Sequence, residues 1–579
     1  MIKHQGPISG VATFGDRYVA TAGYDNQVIL WDAAGHTPLA RGVHDHLVNQ
    51  VAFSPDGTLL VTSSSDYSAR LWSVPDLRLR AVLGDQKDDV EMSVFHPEQQ
   101  LVATASRDHT VRVYDFSGAV VRRFEGHTAD VISVEWLPAT GELISSSDDG
   151  TIKRWSLATG EMTADIDLDG VETDTIAITR GGVVFAGNDD GAIIRIENGE
   201  TEYFPAHDAG IKRLVLNSET GALVSLSYDR SLRVWDTAAG LRPLHTAEFP
   251  AEIWARSCAF LDDHTLAFAT FGSTYATYDT VSATWNLDLV EGTRCVNAVT
   301  TLPDGRTYTV GDAGVVRVDG VEGGRPDSLC NFLVPVGGRV LTGGQLGRVF
   351  DADTGETLHQ HRSPLNCAAA FERDGVPHVV VGAYTGEGLV FAVRADGVVE
   401  HVATLPLLAN AVKGLAVSGG TIFAVCADAS ASWFSTQTLQ ETARVEEAHT
   451  RIANGCAPLP GGRFASVSRD LVLRLWDGDG ATAVPTPHDH SVKCVAASAD
   501  GALVATGSYG GTVAVYDTRT GTWPYVGKPT TAGISSLHYA PEADTFLAAS
   551  YDGSVYPVPA AARQEAGVRG EGKEGIPGH

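Results

Sequence analysis

The strongest constraint in this sequence is a recurrence. A strand-like segment ending in Trp-Asp, or in a relative of that pair, returns at Trp31, Trp72, Tyr114, Trp155, Ile196, Trp235, Tyr278, Val318, Phe350, Phe391, Phe434, Trp476, Tyr516 and Val558. Successive positions lie 39 to 43 residues apart, except for the 32 residues between Val318 and Phe350. A unit of about 40 residues cannot bury an apolar face by itself, so the units must pack on one another. Within each unit, runs of about five residues alternate β-branched and polar positions between Gly, Asp and Ser turns, the pattern of short half-buried strands. Four such strands fill one period. The chain is therefore expected to be all-β, and its fourteen units divide evenly into two tandem seven-bladed β-propellers.

The period carries a chemical signature. LISSSDDGTIKRWS, residues 143–156, follows EGHTADVISV beginning at Glu125, and the order His, hydroxyl, Asp, Trp recurs in full five times. The sets are His4, Thr21, Asp25, Trp31; His44, Thr62, Asp66, Trp72; His127, Ser145, Asp149, Trp155; His207, Ser225, Asp229, Trp235; and His449, Ser466, Asp470, Trp476. With these residues the chain resembles the WD-repeat family over residues 1 to about 560. Its tandem plan is similar to that of the family's actin-interacting members, with no residue match that carries actin binding over. The resemblance implies that the His sits in the turn between blades and the Asp in the tight turn between second and third strands. The hydroxyl and the indole N–H would then lie on those strands. The chemistry is structural, because a buried carboxylate and imidazole need partners, and linking Asp, His, hydroxyl and indole supplies them. A Ser-His-Asp nucleophile is rejected: a catalytic triad occurs once and needs an oxyanion site, whereas this constellation recurs with a Trp attached.

The expected domains are a first propeller at residues 1–285, a more degenerate second propeller at 286–562, and a disordered tail at 563–579 that ends in GEGKEGIPGH. Units seven to eleven keep no complete tetrad, although Asp312 and Asp428 remain. Residues 282–292, SATWNLDLVEG, are expected to supply the outer strand of unit seven, and residues 1–4 or 560–567 that of the last unit.

Composition narrows the function. Lys and Arg number 42 against 71 Asp and Glu, a formal charge of -29. Nucleic acid and anionic membrane surfaces favour basic patches, so neither is expected as a partner; a cationic protein is. No apolar run is long enough to span a bilayer, and MIKHQGPISG lacks the apolar stretch of a secretory signal, so the expectation is a cytoplasmic protein. The Ala, Gly, Val, Asp and Arg-heavy composition is that of a high-GC bacterial product. The seven cysteines, Cys258, Cys295, Cys330, Cys367, Cys426, Cys456 and Cys494, contain no C-x-x-C pair and recur about once per unit, as small buried hydrophobes do. Phosphate-loop, zinc-protease and nucleophile-elbow motifs are absent, and no cofactor is expected.

The candidate partner-binding residues stand beside the tetrad Asp positions: Tyr24, Arg107, Tyr228, Arg469, Tyr509 and Tyr551, with His46 in a neighbouring turn. They are expected to surround the channel mouths on the face that family members commonly use, and Tyr and Arg suit binding hot spots. The triplets His44-Asp45-His46 and His488-Asp489-His490 each leave one imidazole beyond the structural His, too few in each unit for zinc. Trp136, Trp254, Trp285, Trp433 and Trp523 lie outside the repeated Trp position and are expected in cores or at blade edges. The function expected is a non-enzymatic protein-interaction scaffold; the alternative is an enzyme, or enzyme subunit, with a site at a propeller axis.

Overall fold

Burial along the first unit shows how the sequence makes its sheets. Its strands are Ile8–Phe14, Tyr18–Gly23, Gln27–Asp32 and Thr37–Val43. The second, YVATAG, is buried at every position, whereas the fourth, TPLARGV, alternates between exposed and covered side chains. Small and β-branched residues therefore occupy strands covered on both faces, and alternation survives only at the outer edge. Asn26 makes the turn after the second strand with φ of 67°, a left-handed conformation that Asn tolerates.

The computed structural model describes residues 2–560 apart from 139, 239 and 294. It contains thirteen four-stranded antiparallel sheets and, at Ile534–Ala540, Thr545–Ser550 and Val555–Pro559, a sheet with three strands among the described residues. Every recurring position from Trp31 to Val558 falls on the third strand of its sheet. The fourth strand of sheet 7 is Thr284–Asn286, inside the segment expected to supply it.

First strands pack on first strands. The contacts run in order from sheet 1 to sheet 7 and return from Ile253–Phe260 to Ile8–Phe14; they run again from sheet 8 to sheet 14 and return from Ile534–Ala540 to Val296–Thr301. Hydrogen bonds seal both returns: Ser257 Oγ accepts from Val11 N–H at 3.0 Å, and Ser535 Oγ donates to Val296 O at 2.5 Å. Between sheets lie apolar clusters such as Met92, Val113, Phe124, Val134, Leu143 and Trp155, which join sheets 3 and 4. Five of the seven cysteines sit on first strands, and burial pushes the Cys258, Cys330, Cys367 and Cys494 thiols up to about 12.

One expectation about closure needs correction. Residues 2–4 form no strand; His4 N–H donates to Ser273 O at 3.0 Å, and Ile2 packs with Trp31 and Tyr275. The N-terminal residues thus serve the junction of sheets 1 and 7. The alternative source at 560–567 and the tail at 563–579 fall, from residue 561 onward, outside the described residues.

Candidate functional site

Each of the five tetrads is a continuous hydrogen-bonded chain. In the fourth unit, Trp155 Nε1 donates to Ser145 Oγ at 2.9 Å, Ser145 Oγ lies 2.8 Å from His127 Nε2, and His127 Nδ1 lies 2.8 Å from Asp149 Oδ2. The corresponding His-to-carboxylate distances are 3.0 Å at His4, 2.8 Å at His44 and His207, and 3.3 Å at His449. A neutral imidazole protonated at Nδ1 satisfies every link of the fourth-unit chain in one direction, from indole to hydroxyl to imidazole to carboxylate. In unit 12 the chain runs through an arginine instead: Arg474 Nη1 donates to both His449 Nδ1, at 2.6 Å, and Asp470 Oδ2, at 2.7 Å, and so links imidazole to carboxylate. Burial would raise the Asp229 carboxyl, but the His207 hydrogen bond and charge, with Ser231 and the Asp208 N–H, bring it down to about 2.

Sequence reasoning placed His488 and Asp312 at tetrad positions but missed Gln86 and the substitute partners. In unit 3 Gln86 replaces the His: its Nε2 donates to Thr104 Oγ1 at 2.8 Å and to the Tyr114 hydroxyl at 2.9 Å, while Arg112 pairs with Asp108 at 2.8 Å. Asp312, which lacks the family's His and Trp, accepts from Thr293 Oγ1 and Asn297 Nδ2, both at 2.8 Å. In unit 13 His488 Nε2 lies 2.8 Å from Thr506 Oγ1, but Gly510 stands where other units have Asp, and His488 Nδ1 is left without a partner. A Cβ at Gly510 would come within 2.8 Å of His490 Nδ1, so the missing side chain makes room for that ring.

The face that carries the Asp turns is not open. His46 and His490, the imidazoles left over from the two His-Asp-His triplets, stack with ring centroids 4.7 Å apart. Tyr228 meets Tyr384 at 5.3 Å, and Tyr509 lies 5.8 Å from His46. Arg469 donates to Asp89 at 2.5 Å, Arg451 pairs with Asp88, and Asn410 Nδ2 donates to Glu172 at 2.6 Å. Cys295 Sγ reaches both Gln5 O and Tyr551 O. Sheets 1–7 and sheets 8–14 are therefore apposed through these turns. Of the candidate partner-binding residues, Tyr24, Arg107, Tyr228, Arg469, Tyr509 and Tyr551 line the cavity of about 870 Å³ between the two sets of sheets. His46 is 4% exposed beside it, and burial together with His490 and Arg469 lowers its pKa to about 3. Arg107 is ion-paired with Glu91 at 2.5 Å and with Asp130. Trp254 joins this wall, edge-on to Tyr24 at 5.2 Å, whereas Trp136 and Trp433 are buried and Trp285 and Trp523 lie on outer strands.

One further position recurs in every unit. Each first strand bulges just after its first residue, leaving one residue out of register with the second strand; in sheet 7 the irregularity spans residues 254–257. A bulge re-aims a side chain, and here it aims one per unit into the cavity. In sheets 1–7 these are Ser9, Asn49, Glu91, Ile132, Asp174, Lys212 and Trp254; in sheets 8–14 they are Asn297, Asn331, Asn366, Lys413, Asn454, Lys493 and Ser535. The Asn side chains stitch neighbouring sheets: Asn49 donates to Val90 O at 2.9 Å, Asn331 to Leu365 O at 2.9 Å and Asn454 to Val492 O at 2.8 Å. Lys212 instead pairs with Asp174 and Asp189, and Glu91 with Arg107 and Arg256. The sequence signal is a polar or charged residue one place after the start of the first strand, present in every unit except those of Ile132 and Trp254.

Among the described residues there is no cluster of three or more side chains suited to a metal, and no helix long and apolar enough to cross a membrane. Residues 1–32, 38–73, 78–115, 118–156, 200–236 and 482–517 match the family model described as WD domain, G-beta repeat. These six stretches are WD40 repeats, and the protein is a WD-repeat protein. It is 23% identical over 269 residues to the transcriptional corepressor LEUNIG_HOMOLOG of Arabidopsis thaliana, covering 38% of this chain and 34% of that one. It is 27% identical over 252 residues to a guanine nucleotide-binding protein subunit beta of Oryza sativa subsp. indica, covering 38% and 66%. Against the transcription initiation factor TFIID subunit 5 of Caenorhabditis elegans the identity is 29% over 201 residues, covering 34% and 30%. The chain thus spans between 30% and 66% of the lengths of these relatives.

Proposed function

We propose that the protein is a protein-interaction scaffold built as two tandem seven-bladed propellers, residues 1–285 and 286–562, and that its partner surface is the rim of the first propeller. The observation that carries the reading is the distribution of exposed apolar side chains. Leu39, Val43, Leu79, Val82, Val120, Val121, Met162, Tyr203 and Leu244 are nine of the fifteen large exposed hydrophobics among the described residues, and all lie on the fourth strands of sheets 1–6. Apolar side chains beside an unpaired strand edge form a surface on which another chain can dock. Five of the six WD40 matches fall in this half. Relatives whose names denote a corepressor, a G-protein subunit and a transcription-factor subunit agree with a role in assemblies. The formal charge of -29 favours a basic partner through faster encounter.

The Asp-turn faces, engaged with each other, are not available in this arrangement. The test replaces Leu79 and Val82, each 48% exposed, by Glu and compares cross-linked partners with those of the wild type by mass spectrometry. The variant should melt with the wild type and lose its basic partner at least tenfold. Recovery of the same partners in equal yield would exclude the rim.

A further inference from the structure

The cavity between the two sets of sheets holds an unbalanced pair of cations. Lys413 and Lys493 occupy bulge positions in sheets 11 and 13, on either side of Asn454 in sheet 12. Lys413 Nζ stands 4.7 Å from the centre of the Tyr384 ring and Lys493 Nζ 5.9 Å from that of Tyr509. Neither ammonium has a carboxylate within 4.0 Å among the described residues, whereas Lys212, at the corresponding position of sheet 6, pairs with both Asp174 and Asp189. Five of the acidic groups that line the cavity are engaged otherwise, Glu91 with Arg107 and Arg256, Asp174 and Asp189 with Lys212, Glu172 with Asn410, and Asp312 with Thr293 and Asn297, while Asp148, Asp190 and Asp208 line it without an ion pair to either lysine. Arg469 and Arg362, the other Arg side chains of this wall, are taken by Asp89 and Glu387. The Cys367 thiol, near both lysines, is held neutral, its pKa pushed up to about 12 by burial. The Tyr384 and Tyr509 hydroxyls make no hydrogen bond to the protein among the described residues, which leaves two free O–H donors on the rings that the two ammonium groups face.

From this geometry we infer that Lys413 and Lys493, with the hydroxyls of Tyr384 and Tyr509, form a binding site for a small oxyanion, a carboxylate or phosphate group of a compact metabolite. Two neighbouring cations removed from bulk water without a counter-charge are costly, and an anion between them supplies the missing charge and the acceptors together. Burial, with the neighbouring Lys493 and Arg469 charges, lowers the Lys413 pKa to about 7, as befits a site waiting for an anion. The opposite wall limits what the rest of the ligand can be. Asp148 and Glu172 there are raised in pKa by burial and by neighbouring carboxylates, so an amine at the other end of the ligand would relieve that crowding and find a carboxyl-rich wall to pair with. A cavity of about 870 Å³ is of metabolite size.

Inorganic phosphate and acetate are the probes. Each is titrated against the full chain at pH 7 and constant ionic strength, with binding read by equilibrium dialysis of labelled anion and by thermal unfolding against chloride. One of the two should bind saturably and raise the melting temperature along a saturation curve; which one does so separates a phosphate site from a carboxylate site. Lys413→Met and Lys493→Met should each weaken that binding at least tenfold. In chloride they should melt no lower than the wild type, because each removes one of two repelling charges. Absence of saturable binding of both anions to the wild type overturns the inference, and so does an unchanged affinity in both folded variants. If a methionine variant fails to fold, the corresponding glutamine variant and the wild-type dialysis decide.

Discussion

Replacing Asp149 by Ala tests the structural tetrad at its most connected residue. The Asp149 side chain is 5% exposed and accepts from His127 Nδ1 at 2.8 Å, Thr128 N–H at 2.9 Å, Thr151 N–H at 3.0 Å and Thr151 Oγ1 at 2.7 Å. Water can replace the carboxylate at Thr128, which is exposed, but not at His127, whose ring is buried between Ser145 and the lost acceptor. Leaving one buried imidazole N–H unpaired costs ~1–3 kcal/mol, and losing a charge-assisted bond ~1.5–3. Since the two overlap, the expected loss is about 3 kcal/mol, a fall of ~6–10 °C in the unfolding transition of the first half. Asp149→Asn keeps an acceptor for His127 and should lose less. Asp115, a turn carboxylate that accepts from Ser117 and Ala119 at the surface, is the control, and Asp115→Ala should move the transition far less. The pH dependence has a definite sign. His127 and Thr151 hold Asp149 below its ordinary value of 3.8 against the opposing effect of burial, so its contribution is present above 3.8 and is lost as pH falls through the folded-state value. The gap between wild type and Asp149→Ala should therefore narrow only in strong acid. Equal melting shifts for Asp149→Ala and Asp115→Ala, or a gap independent of pH down to about 2, would refute the reasoning.

The triple change Tyr24→Ala, Arg107→Ala, Tyr228→Ala, which an open face would tolerate, should lower the melting temperature markedly, because removing Arg107 takes one of two arginines from buried Glu91, leaving Arg256 alone there, and takes the arginine from Asp130, a loss of up to ~3–5 kcal/mol; a neutral result by differential scanning calorimetry would contradict the apposed arrangement. Asp88→Lys with Asp89→Lys sets like charges against Arg451 and Arg469, and small-angle scattering should then report a larger radius of gyration, whereas an unchanged radius would mean that these contacts do not hold the halves together. Stability should also respond to pH through two cavity groups of opposite sign. Glu172, raised to about 8 by burial, Asp189 and Asp174, loses its contribution as pH rises from 4.5 through 8; Lys413, lowered to about 7, regains stability as pH rises from 7 towards 10.5. Glu172→Gln should flatten the first slope and Lys413→Met the second in denaturant titrations, and slopes that persist in both would assign them to other groups.

How much of this was legible beforehand differs from residue to residue. The period located all fourteen third strands, Trp31 to Val558, because alternation and turn residues are local properties of the chain. The tetrads were equally legible, since each joins residues about 30 apart within one unit, and the spacing repeats. His488 and Asp312 were read at their tetrad positions, but Gln86 and the substitutes around all three were not, because they are recognised only by position: an amide for an imidazole, Thr293 and Asn297 for a His, and a glycine for an aspartate.

What the sequence alone determined is thus everything with a range of one unit: the all-β class, the strand positions and the five hydrogen-bonded chains. Only the tertiary structure decided where the Asp-turn faces look. Tyr228 meets Tyr384 and His46 meets His490 across separations of 156 and 444 residues, and no repeat length encodes such a pairing. The physical reason is that a repeat specifies its contacts with the next repeat, whereas the apposition of two sets of sheets is fixed by the few charges and rings at their meeting faces. Arg451 with Asp88, Arg469 with Asp89 and Asn410 with Glu172 are single residues in single units, indistinguishable in sequence from solvent-facing turns until the fold brings them together.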